Sequence, residues 1–134
     1  MPRAGGIREK LAWVLIRQGR VLVTRNQGRD LFYFPGGMRE PGESDAQALV
    51  REIDEELQVA IDEATMAHVV TVRARGDAST ADMRMICYPA EHLGELVPDH
   101  EIAELAWLAY ADRDQVSPPD QLVLDALHAA GQLA

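Results

Sequence analysis

The chain has 134 residues, of which 22 are Asp or Glu and 13 are Lys or Arg, so its formal net charge is −9. The length suits a single domain over residues 1–134. The acidic balance argues against nucleic acid and anionic membranes as partners, because both are bound through Lys and Arg. A phosphorylated small molecule is compatible with this charge if a divalent cation accompanies it.

Cysteine use and hydropathy predict a cytoplasmic protein. The only cysteine, Cys87, excludes an intramolecular disulfide and suits a reducing compartment. It stands in an apolar run, which predicts a buried and unreactive thiol. No apolar run approaches ~20 residues and no signal peptide opens the sequence, so neither a membrane span nor export is expected.

Hydrophobic periodicity and turn residues predict strands and helices in mixed order. The elements expected in the first half are strands over 11–17 and 21–26 joined as a hairpin by residues 18–20, a short strand over 31–34, a glycine loop over 36–43 and a helix over 44–57. Those expected in the second half are strands over 59–61, 67–75, 82–90 and 103–110, a turn at 76–80, a loop over 91–100, a helical turn over 111–116 and a helix over 118–130. Without strict βα alternation, this order predicts an α/β (α+β) fold with a mixed sheet and helices on its faces.

The two predicted helices carry their own boundary signals. Ser44 and Gln47 form a capping-box pair at the start of the first helix, while Ser117 and the following Pro118 mark the start of the last one. The apolar stripe of the first helix is predicted to be Ala46, Leu49, Val50, Ile53 and Leu57. The stripe of the last helix is predicted to be Leu122, Val123, Ala126, Leu127 and Ala130.

The first helix also carries an acidic face. Glu52, Glu55 and Glu56 stand at i, i+3 and i+4, so they share one side of the helix, away from the predicted apolar stripe. Like charges at these spacings destabilise a helix by roughly 0.2–0.5 kcal/mol each. A hard cation relieves the repulsion, and Mg²⁺ prefers carboxylate oxygens shared with water and substrate phosphates. The preceding glycines, Gly36 and Gly37, allow the backbone to approach such a ligand closely.

This segment resembles the signature of a known family. Gly37, then Glu43, then the run Arg51-Glu52-Ile53-Asp54-Glu55-Glu56-Leu57 are similar to the Nudix box of pyrophosphohydrolases, which here covers residues 37–59. The lead-in Pro35-Gly36-Gly37 and the turn Glu40-Pro41-Gly42-Glu43 also resemble the family. One position departs from it, because Gln58 stands where a glycine usually ends the helix.

The resemblance implies an α/β/α sandwich and a set of site residues. It implies Mg²⁺, with Mn²⁺ as a possible substitute, held by Glu52, Glu55, Glu56 and the carbonyl of Gly36. Glu52 is the implied general base, with Glu55 also among the catalytic residues. Arg51 is expected to orient the carboxylates. The structural loop residues are Gly37 and Glu43.

Substrate contacts are predicted at three further positions. Arg39, in the glycine loop, is a candidate phosphate ligand. Asp120 lies in the first turn of the last helix, where MutT-like relatives place a polar residue against the base, although an acid there also suits the helix dipole. Glu104, like Glu101, is a candidate extra metal ligand or base, or an ordinary exposed acid. Other basic residues could also bind phosphate: Arg25, Arg29, Arg73, Arg75 and Arg84.

The sequence therefore predicts a Mg²⁺-dependent hydrolase of a nucleotide-type small molecule, acting as a monomer or homodimer. The preferred reaction splits a (d)NTP into (d)NMP and pyrophosphate, in the MutT manner, which the short length and the start of the last helix favour. The runner-up substrates are ADP-ribose and nucleotide sugars. Two non-enzymatic alternatives are a Nudix-fold module that only binds a nucleotide and a plain divalent-ion domain.

Overall fold

Nine strands and two α-helices make up the part of the chain that the computed structural model describes, residues 7–75 and 82–134. The strands are β1 (Arg8–Val14), β2 (Ile16–Arg17), β3 (Arg20–Asn26), β4 (Gly36–Met38), β5 (Ala60–Ile61), β6 (Val70–Ala74), β7 (Met83–Pro89), β8 (His92–Leu93) and β9 (Ile102–Leu108). The helices are α1 (Asp45–Leu57) and α2 (Pro118–Ala129), with 3₁₀ turns at Glu63–Thr65 and Tyr110–Gln115.

The strands form three sheets. The largest has the order β4-β1-β7-β6, with β1 parallel to β7 and the other neighbours antiparallel. A second, antiparallel sheet has the order β2-β3-β9, and β5 pairs with β8. The combination of parallel and antiparallel pairs confirms the predicted mixed sheet.

Alternate residues of β1 enter two separate cores, because successive side chains of a strand point to opposite faces. Ala12 and Val14 pack in the core that includes Val123, Leu124 and Leu127 of α2. Leu11 and Trp13 pack in the core that includes Leu49, Ile53 and Leu57 of α1. The sheets therefore lie between the two helices, which is the predicted α/β/α sandwich.

The predicted first strand, 11–17, is wrong as a single element. The chain leaves the large sheet after Val14, and β2 then forms a hairpin with β3 in the second sheet. The turn is Gln18-Gly19, both with positive φ, so Arg20 already belongs to β3. A continuous apolar run does not show which neighbouring strand each part will pair with, and that is why the break was not predicted.

The predicted strand over 31–34 is also wrong, since only isolated bridges form there. The backbone N–H groups of this segment go to three different partners. Phe32 donates to the carbonyl of Gln115, Tyr33 to the carbonyl of Thr24, and Phe34 to the carboxylate of Asp120. By contrast, the glycines predicted to be loop pair with β1 as β4.

The buried face of α2 differs from its predicted stripe. Leu122 is 45% exposed and Ala130 lies past the end of the helix, whereas Leu124 is fully buried. The buried residues run at i, i+3, i+4 and i+7 from Asp120. Counting only apolar residues missed this register, because its first member is a carboxylate that is buried through hydrogen bonds.

The remaining elements agree with the prediction within a few residues. The predicted loop over 91–100 contains the short strand β8, and the predicted turn at 76–80 lies outside the described residues. Cys87 is fully buried, and burial raises the pKa of its thiol to about 12, as expected for an unreactive cysteine. In the described part of the chain, neither α1 nor α2 has the length and apolarity that a membrane crossing requires.

The inward face of α1 contains Ala48, Leu49, Ile53, Glu56 and Leu57, while the predicted Ala46 and Val50 are half-buried. Ile53 is fully buried, so Ile53→Ala is expected to lower the free energy of unfolding by about 2–5 kcal/mol. Chemical denaturation would measure this, with exposed Asp54→Ala as the control on the same helix. An Ile53→Ala variant as stable as the wild type would mean that the helix face is assigned wrongly.

Candidate active site

Local capping fixes where α1 begins. The Ser44 hydroxyl accepts a hydrogen bond from the backbone N–H of Gln47 at 3.1 Å, and the Gln47 side chain accepts one from the Ser44 N–H at 2.9 Å. This is the predicted capping box. It satisfies two backbone donors that the first turn cannot pair internally and so stabilises the start of the helix that carries the acidic face.

Gln58 takes the conformation that glycine usually provides at the end of the helix. Its φ of 59° and ψ of 32° are left-handed, and its N–H donates to the carbonyl of Asp54 at 3.0 Å. For a non-glycine residue this costs on the order of 1 kcal/mol. The Gln58 side chain offsets part of that cost by donating to the carboxylate of Asp99 at 2.9 Å. Gln58 therefore ends the helix with the left-handed geometry that a glycine would provide at this position.

The three carboxylates of the acidic face have different environments. Glu55 is the most exposed, with 47% of its side chain accessible against 16% for Glu52. Glu56 is only 8% exposed, which corrects the expectation that it would point away from the packed face. It lies three residues after Ile53 and next to Leu57, at the border of the buried stripe, and accepts a hydrogen bond from the N–H of Gly36 at 3.2 Å.

Arg51 connects this face to the preceding loop. It donates to both oxygens of Glu43 at 2.7 and 2.9 Å, to Glu52 at 2.8 Å and to the carbonyl of Met38 at 3.2 Å. Glu55 lies 3.7 Å away from the same guanidinium. The hydrogen bonds from Arg51 hold the pKa of Glu43 at about 2, well below its ordinary value. Glu43 is therefore an anion that anchors the arginine.

The two glycines of β4 make close approaches that a side chain would prevent. A Cβ on Gly36 would lie 1.9 Å from the backbone oxygen of Leu11, and Gly36 has a φ of +144°. A Cβ on Gly37 would lie 2.3 Å from the carboxylate carbon of Glu52. Gly36 thus permits the pairing of β4 with β1, and Gly37 leaves room for the Glu52 carboxylate beside the backbone.

Two of the carboxylates border an open cleft of about 650 Å³ between the sheets. Its lining includes Glu52, Glu56, Glu101 and the glycines of β4. It also includes polar and basic side chains, most of which were not singled out from the sequence: Arg8, Lys10, Thr24, Asn26, Arg29 and Tyr33. Carboxylates and basic side chains therefore line the same cleft.

Lys10 was missed although the sequence carried a signal for it. It stands two and four residues before Ala12 and Val14, which are buried, so it lies on the same, inward-facing side of β1. Its ammonium donates to the carbonyl of Phe34 at 3.1 Å and lies 5.6 Å from the ring centre of Tyr33. A charge at an inward-facing strand position is unusual and indicates a binding surface.

The three residues predicted to contact substrate lie apart from the acidic face. Glu104 forms a 2.7 Å ion pair with Arg25. Arg39 lines a different depression and pairs with Glu9 and Asp45. Asp120 is 2% exposed; it accepts hydrogen bonds from the N–H of Phe34 at 2.9 Å and from the hydroxyl of Ser117. The Asp120 carboxylate thus stands behind the cleft wall that Phe34 helps to form.

Burial raises the pKa of Glu56 to about 7, with Glu52 and Glu101 adding to the effect and the Gly36 N–H and Lys10 opposing it. The folded protein therefore binds more protons than the unfolded chain between about pH 4.5 and 7, so Glu56 makes stability fall as the pH rises through this window. The raised pKa of Glu56 adds on the order of 3 kcal/mol to the free energy of unfolding. This stabilisation is fully present below pH 4.5 and is lost above pH 7.

In the metal-free protein, Glu56→Gln is expected to remove the loss of stability that Glu56 causes as the pH rises from about 4.5 to 7. Denaturation of both proteins at pH 5 and pH 8, in the presence of a chelator, would measure it. The wild type should lose more stability than the variant between the two pH values. An equal pH dependence in both would mean that Glu56 is ionised at pH 5 in the folded protein.

The chemistry of the acidic face fits a hard cation. All its donors are oxygens, and the space kept free by Gly37 adjoins Glu52. Within residues 7–75 and 82–134, no three acidic, histidine or cysteine side chains converge closely enough to hold an ion by themselves. A cation there would need water and substrate phosphates to complete its ligand shell, which is how Mg²⁺ usually binds.

Comparison with known proteins gives the family. The NUDIX domain family matches residues 8–127. The chain is 32% identical to the CTP pyrophosphohydrolase of Escherichia coli K12 over 130 residues, which is 90% of this chain and 91% of that protein. The solution structure of the E. coli ORF135 protein superimposes with a TM-score of 0.80 at 28% identity, covering 98% of this chain and 96% of that one.

A third comparison supports the fold. The crystal structure of a MutT NUDIX hydrolase from Burkholderia pseudomallei has a TM-score of 0.76 at 21% identity, covering 90% of this chain and 98% of that one. The NUDIX match over residues 8–127 includes both β4 and α1. The chain belongs to the Nudix family of hydrolases, which act on phosphoanhydride bonds.

Proposed function

We propose that this protein is a Mg²⁺-dependent pyrophosphohydrolase that converts a (d)NTP into a (d)NMP and pyrophosphate. The observation that carries the proposal is the meeting of Glu52 and Glu56 with the Gly36-Gly37 backbone in the wall of the 650 Å³ cleft. This wall combines oxygen donors, a close backbone approach and room for a nucleotide. Mn²⁺ is expected to replace Mg²⁺, because both accept oxygen ligands.

The acidic face supplies the groups for hydrolysis. Glu55, Glu56 and the Gly36 carbonyl, together with Glu52, are the proposed metal ligands. A bound Mg²⁺ would neutralise charge on the pyrophosphate and orient the attacking water. Glu52 is the proposed general base, which takes the proton of that water. Arg51 holds one Glu52 oxygen at 2.8 Å and so fixes the direction of the carboxylate.

The rest of the cleft offers contacts for the nucleotide. Arg29 and Lys10 supply positive charge opposite the carboxylates, and the Tyr33 ring offers an aromatic surface for a base. Of the two acids near the start of β9, Glu101 lines the cleft while Glu104 is held by Arg25. Glu101 is therefore our preferred additional metal ligand. Asp120 is proposed to serve the base end of the cleft from behind its wall, by fixing Phe34 through the 2.9 Å hydrogen bond from the Phe34 N–H.

Sequence similarity to a CTP pyrophosphohydrolase favours a nucleoside triphosphate over ADP-ribose or a nucleotide sugar. The similarity covers 90% of this chain and 91% of that protein. A non-catalytic binding module would not require Glu52, Arg51 and Glu56 in this arrangement. Family membership and these residues therefore favour the hydrolase over the module.

Product analysis tests the proposal. The purified protein would be incubated with Mg²⁺ and ordinary or oxidised (d)NTPs, ADP-ribose, nucleotide sugars and dinucleoside polyphosphates, with CTP and dCTP included. Release of a monophosphate and pyrophosphate from a triphosphate would support the proposal. Cleavage of ADP-ribose or a nucleotide sugar alone would replace it with the runner-up. Tight nucleotide binding without any cleavage would show a binding module instead.

A further inference from the structure

The loop between β4 and α1, residues 39–44, is held from two sides. On one side Arg51 binds Glu43, as described above. On the other side lies a second group, which we call the Arg39 clamp: Glu9, Arg39, Asp45 and Tyr88. None of these four lines the cleft that holds Glu52 and Glu56.

The clamp ties the loop to three elements, β1, α1 and β7, through hydrogen-bonded side chains. The Nε of Arg39 donates to Glu9 of β1 at 3.0 Å, and a terminal nitrogen donates to one oxygen of Asp45, the first residue of α1. The hydroxyl of Tyr88, on β7, donates to the other Asp45 oxygen. The backbone N–H of Arg39 also donates to the carbonyl of Glu9 at 3.0 Å. The loop is thereby tied to both the large sheet and the helix start.

The clamp connects to the acidic face through a continuous set of contacts. Arg39 donates to the backbone carbonyl of Glu43 at 3.4 Å. The carboxylate of Glu43 holds Arg51, and Arg51 holds Glu52 at 2.8 Å. A shift of the loop would therefore move Glu43, then Arg51, then the Glu52 carboxylate. Outer groups that orient ligands in this way typically influence metal affinity.

We propose that Asp45 and Tyr88, acting through Arg39, are positioning residues that hold the Glu43–Arg51–Glu52 chain in place for divalent-metal binding. This inference rests on the proposed function, since it requires a metal at the acidic face. It gives Arg39 a role different from a phosphate contact. Its Nε is engaged by Glu9 and one terminal nitrogen by Asp45, and only 21% of its side chain is exposed.

The chain contains a matched control for this proposal. Tyr110 donates its hydroxyl to Asp125 at 2.8 Å, and Arg113 donates to the same carboxylate at 2.6 and 2.9 Å. This second Tyr–Asp–Arg group reproduces the chemistry of the clamp but lies outside the lining of the cleft. Tyr88→Phe and Tyr110→Phe each remove one hydroxyl while keeping the ring.

The test is Mn²⁺ binding to the metal-free protein, measured by electron paramagnetic resonance, followed by steady-state kinetics with CTP and Mg²⁺. Tyr88→Phe is expected to weaken Mn²⁺ binding and lower kcat by about threefold to tenfold each, with KM for the nucleotide little changed. Tyr110→Phe is expected to leave all three quantities at their wild-type values. Thermal unfolding would show whether the two variants are equally folded.

Equal Mn²⁺ affinities in Tyr88→Phe and Tyr110→Phe would overturn the proposal and leave the clamp with a purely structural role. An Arg39→Gln variant with wild-type Mn²⁺ affinity but a raised KM would overturn it as well, and would return Arg39 to substrate binding. If the wild type itself failed to bind Mn²⁺, or bound it no better than Glu56→Gln, the metal site would fall first and this inference with it.

Discussion

Glu56→Gln is expected to lower kcat by about 10²–10⁴-fold, the range that a single essential ionisable group commonly supplies. Glu56 is 8% exposed in the cleft wall and accepts the N–H of Gly36. Glutamine keeps the size and one carbonyl oxygen, so the hydrogen bond can persist while the negative charge is lost. Steady-state hydrolysis of the best nucleotide at saturating Mg²⁺ would measure the effect.

Asp54→Asn provides the control for this prediction. Asp54 lies on the same helix and the substitution makes the same change of charge, but its side chain is exposed and does not line the cleft. Near-normal kcat is expected for it. Above pH 7 the Glu56→Gln variant should resist denaturant at least as well as the wild type does, because it no longer buries a charge. A Glu56→Gln protein with normal turnover would contradict the metal assignment.

The parts of the fold that were predicted correctly depend on neighbours in the sequence. α1 was predicted over 44–57 and is observed as Asp45–Leu57, because its capping box is a local pattern. These features need no knowledge of which strand will lie next to which.

The features that were missed depend on partners far along the chain. Phe34 does not continue a strand because its N–H donates to Asp120, 86 residues later. Asp45 meets Tyr88, 43 residues away, in the Arg39 clamp. Glu56 is buried because the glycines of β4 pack against its helix. A helical wheel can place three carboxylates on one face, but it cannot show which of them another segment covers.

Gly37→Ala is expected to reduce kcat by about 10²-fold or more while leaving the fold intact, because a small displacement of a catalytic group has effects of that size. The new Cβ would stand 2.3 Å from the Glu52 carboxylate, so the carboxylate must move. Gly37 does not have a positive φ, and the obstructed group is the end of a flexible side chain. Turnover and the thermal midpoint, measured together, would separate the two effects.

Gly36→Ala is the contrasting variant, since its Cβ would meet the backbone oxygen of Leu11 at 1.9 Å, where no side chain can yield. It should lower the thermal midpoint, whereas Gly37→Ala should not. A double-mutant cycle with Glu52→Gln tests this mechanism. If Gly37→Ala acts by displacing Glu52, adding it to Glu52→Gln should cause little further loss of kcat. Additive losses in the double variant would show that Gly37 acts on something other than this carboxylate.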